Sequence, residues 1–407
     1  MDNRTPRVRR DLEFLPVQQG GKNYILVRDH LGLVSEGTAL PPELFELLTL
    51  LDGSTTLRDL QMHVMRKRGG VLVSREEIER ILSHLDERYL LESEHYLRER
   101  DRIITEFSAK QVRPCAHCGV SYPGDPEGLT RRLEQILSQG QSTRRGRGTV
   151  PTALVAPHID LGVGAGGYAA AYNWLGDFDA RCVIVLGVGH KMMQGMFCLT
   201  EKDFDTPLGR VTTEKEVVRR LRVAGGGAVT DDDFPHRSEH SIEFQVLLLQ
   251  YLSRNKEFSI VPILCGSLWQ VLSPCTREAF LSKAGEFIKE LSAVVQERGE
   301  SVLVVAGVDM SHVGPKFGHE RPARYLQNET QAHDRRLLGA LVNADANGFW
   351  DESQRVQDRF NVCGFSALAC LLEVLPPSKG TLLYYDMWFE GPTQSAVSFC
   401  AAGFVRC

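Results

Sequence analysis

The chain has 407 residues, of which 43% are hydrophobic and 24% are charged, and its formal net charge is −5. This composition is typical of a globular protein of about two or three domains, and the negative charge argues against a general nucleic-acid binder. The N-terminus lacks an apolar signal segment, no apolar run is long enough to span a membrane, and ten cysteines are scattered without a disulfide pattern. We therefore expect a cytoplasmic protein with reduced cysteines and neither a membrane nor a nucleic-acid partner.

The first 98 residues predict a small α+β module. The segment NYILVRDHLGLV, residues 23–34, has the pattern of two short strands around a polar turn. Three helical patterns follow it: PPELFELLTLLDG, TTLRDLQMHVMRKRGG and SREEIERILSHLDERYLL. In the third, Ser74 and Glu77 have the spacing of a capping box. A hairpin followed by three short helices is typical of a winged-helix domain.

Residues 12–95 resemble the PqqD-like family, the peptide-recognition module of peptide-modifying systems. The resemblance implies that this module binds a peptide or a protein. A DNA-binding winged helix is the competing interpretation, but phosphate contacts require Lys and Arg. The predicted third helix is instead acidic and carries Glu76, Glu77, Glu79, Asp86 and Glu87. A regulatory or dimerisation domain without a ligand is the remaining alternative.

Residues 99–150 are predicted to form a linker and the start of the second domain. The pattern DPEGLTRRLEQILSQ predicts a helix, and the Gly/Arg/Ser-rich segment GQSTRRGRGTV, residues 140–150, predicts a flexible loop. Cys115 and Cys118 have C-x-x-C spacing, but no second such pair stands nearby to complete a zinc site. Reactive or incidental thiols are the favoured interpretation of this pair.

Residues 151–407 predict an α/β domain with a central, mostly buried sheet flanked by helices. Apolar strand-like runs alternate there with helical patterns. The runs are TALVAPH, RCVIVLGVGH, FSIVPILCGS, SVLVVAGVDMSH, TLLYYDMWFE and SAVSFCAAGFV.

Three of these predicted strands end in metal-ligand side chains, namely His158, His190 and the pair Asp309 and His312. In open α/β sheets, ligands bind beyond the carboxyl ends of the strands. Cys363 stands just before a predicted helix, whose N-terminus favours a thiolate. Any one of these residues alone is more often structural. Their recurrence at equivalent positions predicts a transition-metal site of three histidines with a cysteine or a carboxylate.

The segment SEHSIEFQVLLLQYL predicts a helix with Ser238 as its N-cap. His240 and Glu243 are three residues apart in its first turn, so they share a face and form a candidate general acid/base pair. The alternative is that the carboxylates only complement the helix N-terminus. That alternative explains Glu239 well, but it does not explain the histidine beside it.

A formal G-x-G-x-x-G motif at Gly162, Gly164 and Gly167 does not predict a dinucleotide-binding turn. His158 and Asp160 stand between the strand and these glycines, and the second strand ends in His190 without an acidic residue for the ribose. We expect the glycines to allow a tight turn and a close approach of the next helix.

Nine segments resemble the Memo family, protein B of the AmmeMemoRadiSam system, in the family's order over about residues 113–407. They are SYPGDPEGL, APHID, VIVLGVGH, DTPLGRV, EHSIEFQVLLLQYL, IVPILCGS, VDMSHVG, NVCGFSAL and SFCAAGFV. The family is similar in fold to class III extradiol ring-cleaving dioxygenases. The resemblance therefore implies a dioxygenase-like fold and a mononuclear metal site.

Carried over to the matching positions, the resemblance implies metal ligation by His158, His190 and Cys363. It places the remaining candidates, His312, Asp309 and His240, in the same pocket. Fe(II) is the expected metal, with copper or zinc as alternatives. Two departures stand out. The family's PHAGY is replaced by PHIDLGVGAGGY, which adds Asp160, and a cysteine stands where dioxygenases present a carboxylate, which argues against ring cleavage.

These expectations define three candidate functions. The first is a metal-dependent oxidoreductase that uses oxygen, in which His240 is an acid/base group oriented by Glu243, and His312 is an extra ligand or proton-transfer group. Its partner would be a radical SAM protein, or a peptide or protein presented by the N-terminal module. The second is a non-catalytic metal-binding or scaffold protein. The third is a zinc-dependent hydrolase in which His240 and Glu243 activate water.

Overall fold

A computed structural model of the chain describes residues 4–140, 145–146, 148–253 and 256–407. The chain divides into two compact units, the first ending at Ala109 and the second beginning at Lys110. The loop predicted at residues 140–150 falls partly on residues 141–144 and 147, which lie outside the described residues.

In its described residues, the first unit combines a three-stranded antiparallel sheet with four helices, and the three strands and helices α1 to α3 contribute to its hydrophobic core. Strand β1 pairs with β2 as a hairpin from Leu12 opposite Asp29 to Gln19 opposite Lys22, and β3 pairs with β2. The elements are β1 (Leu12–Gln19), β2 (Lys22–Asp29), β3 (Ala39–Leu40), α1 (Pro42–Thr49), α2 (Leu57–Lys67), α3 (Arg75–Glu87) and α4 (Glu94–Ser108).

The prediction of two strands within residues 23–34 is wrong for the second of them. Strand β2 ends at Asp29, and its hairpin partner is β1, which precedes it. The Asp29 carboxylate explains the end of the strand, because it accepts the N–H groups of Leu31, Leu33 and Val34 and folds them into a turn. The same carboxylate pairs at 2.7 Å with the buried guanidinium of Arg9.

The three predicted helices of this unit are present as α1, α2 and α3, and α4 is an additional helix that the patterns did not reveal. Ser74 accepts the N–H of Glu77 at 3.1 Å, which confirms the predicted N-cap of α3. The reciprocal capping box lies instead at the start of α2, between Thr56 and Asp59.

The second unit alternates strands and helices along the chain. Its elements are β4 (Val112–Arg113), α5 (Pro126–Leu137), β5 (Pro151–Ala156), α6 (Ala165–Leu175), β6 (Cys182–Val188), β7 (Phe197–Leu199), β8 (Asp203–Thr206), β9 (Gly209–Thr213), α7 (Lys215–Gly225), α8 (His240–Ser253), β10 (Ser259–Cys265), α9 (Leu268–Val271), α10 (Arg277–Arg298), β11 (Val302–Gly307), β12 (His312–Val313), α11 (Gln327–Val342), α12 (Ala346–Val356), α13 (Phe365–Val374), β13 (Ser378–Glu390) and β14 (Ser395–Arg406).

The strands of the second unit form one mixed sheet in the order β12-β14-β5-β11-β6-β10-β9-β8-β4, with β13 paired to β14 and β7 to β10. The centre of this sheet, from β5 through β11 and β6 to β10, is parallel. Helices cover both faces: α5, α6 and α8 pack on one, and α7, α10, α11, α12 and α13 pack on the other. The expected α/β architecture with a buried central sheet is confirmed.

Alternate strand residues supply the two cores. In β5, Ala153 and Val155 pack on one face of the sheet, whereas Leu154 and Ala156 pack on the other. Because both faces are covered, the central strands are continuously apolar, which is the pattern that made them visible in the sequence. In the part of the chain that the structure describes, no helix has the length and apolarity needed to cross a bilayer.

Helix α8 lies very close to the central strands because glycines face it. A Cβ atom at Gly307 of β11 would lie 2.3 Å from the carbonyl oxygen of Ser241. A Cβ atom at Gly187 of β6 would lie 2.6 Å from the Ser241 Oγ. The Ser241 hydroxyl oxygen in turn accepts the N–H of Val188 at 3.0 Å. This packing brings the first turn of α8 to the carboxyl ends of β6 and β11.

Candidate metal centre

The carboxyl ends of three adjacent parallel strands deliver polar side chains to one place. His158, His190 and Asp309 are each the second residue after their strand, which is β5, β6 and β11, respectively. Cys363 approaches from another direction, two residues before α13. One ligand atom from each of His158, His190 and Cys363 lies within 4.8 Å of the other two. Two imidazole nitrogens and one sulfur at this spacing fit a transition-metal ion.

Hydrogen bonding fixes the proton on the ring of His158. Its Nδ1 lies 2.9 Å from the carbonyl oxygen of Gly307. Since a carbonyl only accepts, Nδ1 carries the proton and Nε2 presents its lone pair. Nε2 lies 3.6 Å from the Sγ of Cys363. Burial lowers the pKa of His158, which keeps the ring neutral and suited to metal ligation.

Glu239 fixes the ring of His190 in a similar way. The His190 Nδ1 lies 3.1 Å from both carboxylate oxygens, which leaves Nε2 as the ligand atom. The carboxylate also accepts the backbone N–H groups of His190, His240 and Ser241. Burial alone would raise the pKa of Glu239, but His190 and these hydrogen bonds hold it well below its ordinary value. Burial opposes protonation of His190, and the Glu239 carboxylate outweighs it and raises the pKa of His190.

Asp309 holds the other side of the cluster. Its Oδ1 accepts the N–H of His158 at 3.1 Å, and its Oδ2 lies 3.5 Å from the His158 Nε2. Its carbonyl oxygen accepts the N–H of Gly364 at 3.1 Å and lies 3.6 Å from the Sγ of Cys363. Burial raises the pKa of Asp309 despite the neighbouring His158. Asp309 therefore positions two candidate ligands at once.

Cys363 differs from the expectation of a favoured thiolate. Burial, with the nearby Asp309 carboxyl as a second cause, raises the pKa of its thiol well above the ordinary value. These two effects outweigh the favourable position before α13. Metal coordination deprotonates a thiol even when its surroundings disfavour the thiolate. The protonated Cys363 is therefore compatible with a metal ligand but not with a free reactive thiolate.

His240, the first residue of α8, completes a cluster of three imidazoles. Its ring stacks on that of His190 with centroids 5.1 Å apart and lies 5.1 Å from that of His158. Its Nδ1 lies 3.3 Å from the Glu239 carboxylate, and burial lowers its pKa well below the ordinary value. His190, Glu239 and His240 form a second group at metal-ligand spacing. Because the Glu239 oxygens already accept three backbone N–H groups, the group containing Cys363 fits a metal better.

The structure gives Glu243 a different neighbourhood from the one expected. Its buried carboxylate pairs with the guanidinium of Arg113 and accepts the backbone N–H groups of Ala116 and His117, each at 3.0 Å. The Tyr122 hydroxyl donates to it as well. The carboxylate that contacts His240 is that of Glu239, so the expected orientation of His240 by Glu243 is corrected. The spacing of three residues predicted that Glu243 and His240 share a helix face. The Glu243 carboxylate instead pairs with the guanidinium of Arg113 and does not contact the imidazole of His240.

His312 and Asp160 lie outside both ligand groups of the described residues. The Nδ1 of His312 lies 3.0 Å from the carbonyl oxygen of Met310, and its ring packs on Phe317. Burial, with smaller repulsion from His158 and His190, lowers the pKa of His312 to about 3. Asp160 is exposed, and its carboxylate accepts the N–H groups of Gly162 and Val163, which forms the turn before α6.

The sequence did not reveal the segment that packs on the imidazole cluster. Arg113 is fully buried and donates to the carbonyl oxygens of His236 and Glu239 at 2.6 and 2.7 Å. The ring of His117 lies 5.6 Å from that of His240. A histidine inside the C-x-x-C motif was the one available signal for this contact.

The two cysteines of that motif also differ from the expectation of reduced thiols. Cys115 and Cys118 are joined by a disulfide, whereas eight other cysteines are free. Six of these eight are buried, and Cys363 and Cys407 are not.

Comparison with known proteins identifies relatives along nearly the whole chain. The sequence profile of the family described as "Memo-like protein" matches residues 113–403. A MEMO1 family protein of Aquifex aeolicus is 31% identical over 404 residues, covering 98% of this chain and 99% of that protein. MEMO1 family proteins of Thermus thermophilus and Pyrococcus furiosus are each 28% identical, covering 84% and 69% of this chain and 97% and 93% of their own lengths.

Proposed function

The chain belongs to the Memo-like protein family, and we propose that it is a metal-dependent oxidoreductase that binds one Fe(II) ion through His158, His190 and Cys363. The observation that carries this proposal is the convergence of these three ligand atoms within 4.8 Å. Both imidazoles direct their Nδ1 atoms to other partners. When bound, iron supplies one-electron redox chemistry and open coordination positions for oxygen. Copper in the same ligand set would serve a similar role.

Three of the protein's own residues, Gly307, Glu239 and Asp309, position the candidate ligands. The carbonyl of Gly307 and the carboxylate of Glu239 hold the two imidazoles in the tautomer that exposes Nε2. Asp309 fixes the backbone of His158 and approaches the thiol of Cys363 through its carbonyl. These contacts set the ligand positions before any metal arrives, which reduces the reorganisation that binding requires.

His240 is the proposed acid/base group of the site. Burial lowers its pKa, so its ring is neutral and able to accept a proton. The Glu239 carboxylate, 3.3 Å from its Nδ1, stabilises the imidazolium that would result. His312 is also kept neutral by burial, and it is proposed as a proton-transfer group beside the cluster.

We also propose a likeness in fold to class III extradiol dioxygenases, and the α/β architecture of the second unit is compatible with it. Here the site lies at the carboxyl ends of parallel strands, where open α/β sheets bind ligands. The thiol of Cys363 in place of a carboxylate favours a redox reaction other than ring cleavage.

The first unit is proposed to be a PqqD-like winged-helix module that binds a peptide, a protein or a radical SAM partner, in a cytoplasmic protein. Its antiparallel sheet with helices is compatible with this assignment. The Aquifex aeolicus relative aligns over nearly all of this chain, so it shares both units. A module kept together with the metal domain in a relative is expected if it serves the same reaction.

A zinc-dependent hydrolase is the second candidate, because two nitrogens and one sulfur suit zinc as well as iron. In that case zinc would supply Lewis-acid activation of water, and His240 would be the neutral imidazole beside the ligands that could accept a proton. A metal that binds without supporting turnover would instead indicate a carrier or scaffold protein.

Metal analysis of protein purified without oxygen tests the proposal. The parent and the variants His190→Ala, Cys363→Ala and Cys407→Ala are compared, the last as a control at an exposed free cysteine. We expect near-stoichiometric iron or copper in the parent and the control, and loss in the two ligand variants. Stoichiometric zinc would favour the hydrolase. No metal after anaerobic reconstitution would contradict the ligand assignment.

A further inference from the structure

We propose that Cys115 and Cys118 form a thiol–disulfide exchange site for a dithiol, and that their redox state sets the position of the His117 ring beside His240. The proposal goes beyond the function proposed above and does not depend on a bound metal. A disulfide joins the two sulfurs, and both residues are partly exposed.

The two residues enclosed by the disulfide help to hold the segment against α8, together with Arg113 and Tyr122. Ala116 and His117 both donate their backbone N–H groups to Glu243 at 3.0 Å. The Nε2 of His117 lies 3.1 Å from the carbonyl oxygen of Ser238. Its ring packs edge-on against two others: the centroid of the His240 ring is 5.6 Å away, and that of the Phe244 ring is 5.8 Å away. A change at the disulfide is therefore one residue away from a group that touches the imidazole cluster.

Both cysteines of the pair are partly exposed, and an exposed turn follows them. The backbone turns immediately after Cys118, where Gly119 has a φ of +79° and donates its N–H to the carbonyl oxygen of Tyr122 at 2.7 Å. Val120, at the tip of this turn, is 78% exposed. A thiolate can attack a disulfide only where it reaches one of the two sulfurs. Most of the free cysteines are buried, so they are less accessible to thiols than this pair.

The exchange reaction balances with a dithiol as the reductant. A thiolate of the dithiol attacks one sulfur of the pair, the bond between the two cysteine sulfurs breaks, and a mixed disulfide forms. The second thiolate of the reductant then attacks the mixed disulfide and leaves with the first as a new disulfide. Cys115 and Cys118 thereby gain two electrons and two protons. The reverse reaction uses the oxidised partner.

The link to His240 follows because the disulfide closes a loop of only a few residues. With the disulfide formed, Ala116 and His117 are held within a short covalent loop that presents their N–H groups to Glu243. Reduction opens this loop and restores backbone freedom to both residues. The ring of His117 then loses its fixed orientation, and the surroundings of His240 change.

Alkylation followed by mass spectrometry tests the exchange reaction. Metal-free full-length protein carrying Cys407→Ser, which removes an exposed thiol, is equilibrated in buffers of varied reduced-to-oxidised dithiothreitol ratio. We expect Cys115 and Cys118 to be alkylated together in reducing buffers, to be protected in oxidising ones, and to return reversibly. Alkylation in every buffer, or protection in every buffer, would overturn the exchange site.

Histidine ring resonances in the same samples test the link to the cluster. The NMR signals of His117 and His240 should shift with the midpoint found by alkylation. His117→Ala should keep that midpoint and abolish the shift at His240, and a Cys115→Ser/Cys118→Ser variant should not respond to dithiothreitol. An unchanged His240 signal while the pair becomes reduced would overturn the coupling. Because no metal is present, these results are independent of the metal-site test.

Discussion

Two neighbouring carboxylates illustrate how single residues at this site divide their tasks. Glu239 contacts the imidazoles of His190 and His240, whereas Glu243 contacts the guanidinium of Arg113. Both are buried, so each carboxylate requires partners that compensate for its lost hydration. The partners differ, and this difference separates a residue that orients two imidazoles of the cluster from one that fastens a structural segment.

Replacing Glu243 should strongly destabilise the second unit. The variant Glu243→Gln leaves the buried guanidinium of Arg113 without its counter-charge, and such losses cost about 3–5 kcal/mol. The control Glu286→Gln breaks an exposed pair with Lys289 and should cost less than about 1 kcal/mol. Urea unfolding of the full chain measures both free energies. Equal small effects would show that the Arg113 pair does not stabilise the fold.

Asp358 predicts a specific pH dependence of stability. Burial raises the pKa of Asp358 from 3.8 to about 6, so the folded protein binds this proton more tightly than the unfolded chain. Its favourable contribution is complete below pH 3.8 and is lost as the pH rises through about 6. Asp358→Asn should therefore stabilise the protein at neutral pH. Asn also tolerates the positive φ of 55° at this position.

Thermal unfolding over a pH series checks this prediction. The gain in melting temperature for Asp358→Asn over the parent should increase between about pH 4 and pH 6 and remain constant above that range. A gain that is independent of pH would contradict a raised pKa at Asp358.

Single residues also show what the sequence could reveal of the site. His158 and His190 were recognisable because apolar strands ended beside them, and the parallel register brought these ends together. The contact of Glu239 with His190 was not recognisable, because the two residues are 49 positions apart and the contact depends on how α8 packs. The contact between Arg113 and Glu243 was also not recognisable, because these residues are 130 positions apart in the chain.

At the scale of elements, the close approach of α8 to the sheet depends on glycine. A methyl group at Gly307 would collide with the Ser241 carbonyl and the Gln245 side chain. The variant Gly307→Ala should therefore push α8 away from β11 and cost about 1–3 kcal/mol. Gly285 in α10 is the matched control, because a Cβ there meets nothing within 4 Å. Gly285→Ala should stabilise the protein by up to about 1 kcal/mol, since Ala favours helix more than Gly.

Denaturant unfolding measures the free energy of unfolding of both glycine variants, which should decrease for Gly307→Ala and increase for Gly285→Ala. If Gly307→Ala were as stable as the parent, α8 would not be held as closely to β11 as the structure shows. The displacement should also weaken the contact between Glu239 and His190, because Glu239 immediately precedes α8.

Periodicity predicted most elements but not their partners. The buried strands β5, β6, β10 and β11 were visible as continuous apolar runs, and the capped helices α3 and α5 were visible from their periodicity. The strand expected after Asp29 was wrong, because the side chain of that residue captures three backbone N–H groups. Helix α4 was missed, since its exposed face is densely charged and only Tyr96, Ile103 and Phe107 are buried.

At the scale of the whole molecule, each unit has its own hydrophobic core. Leu48, Leu60 and Leu90 belong to the core of the first unit, and the second unit has separate cores on the two faces of its sheet. The Pyrococcus furiosus relative matches 69% of this chain over 93% of its own length. A protein of that extent is about the size of the second unit alone.

A fragment of residues 110–407 should therefore fold and retain the proposed metal site. We expect the same metal stoichiometry as in the full chain, together with a cooperative thermal transition. Circular dichroism and anaerobic metal analysis of the fragment provide the measurement. An aggregated fragment, or a folded one that has lost metal binding, would show that the first unit is needed to form the site.

Cobalt(II) titration of metal-free protein tests the central claim most directly, because a thiolate bound to cobalt gives a charge-transfer absorption band. The proposed ligand set predicts a band that saturates at one cobalt per chain. It predicts loss of the band in Cys363→Ser and its persistence in Cys407→Ser, where the exposed cysteine lies outside the ligand group. A band that survives in Cys363→Ser, or one that never appears in the parent, would contradict metal binding by His158, His190 and Cys363.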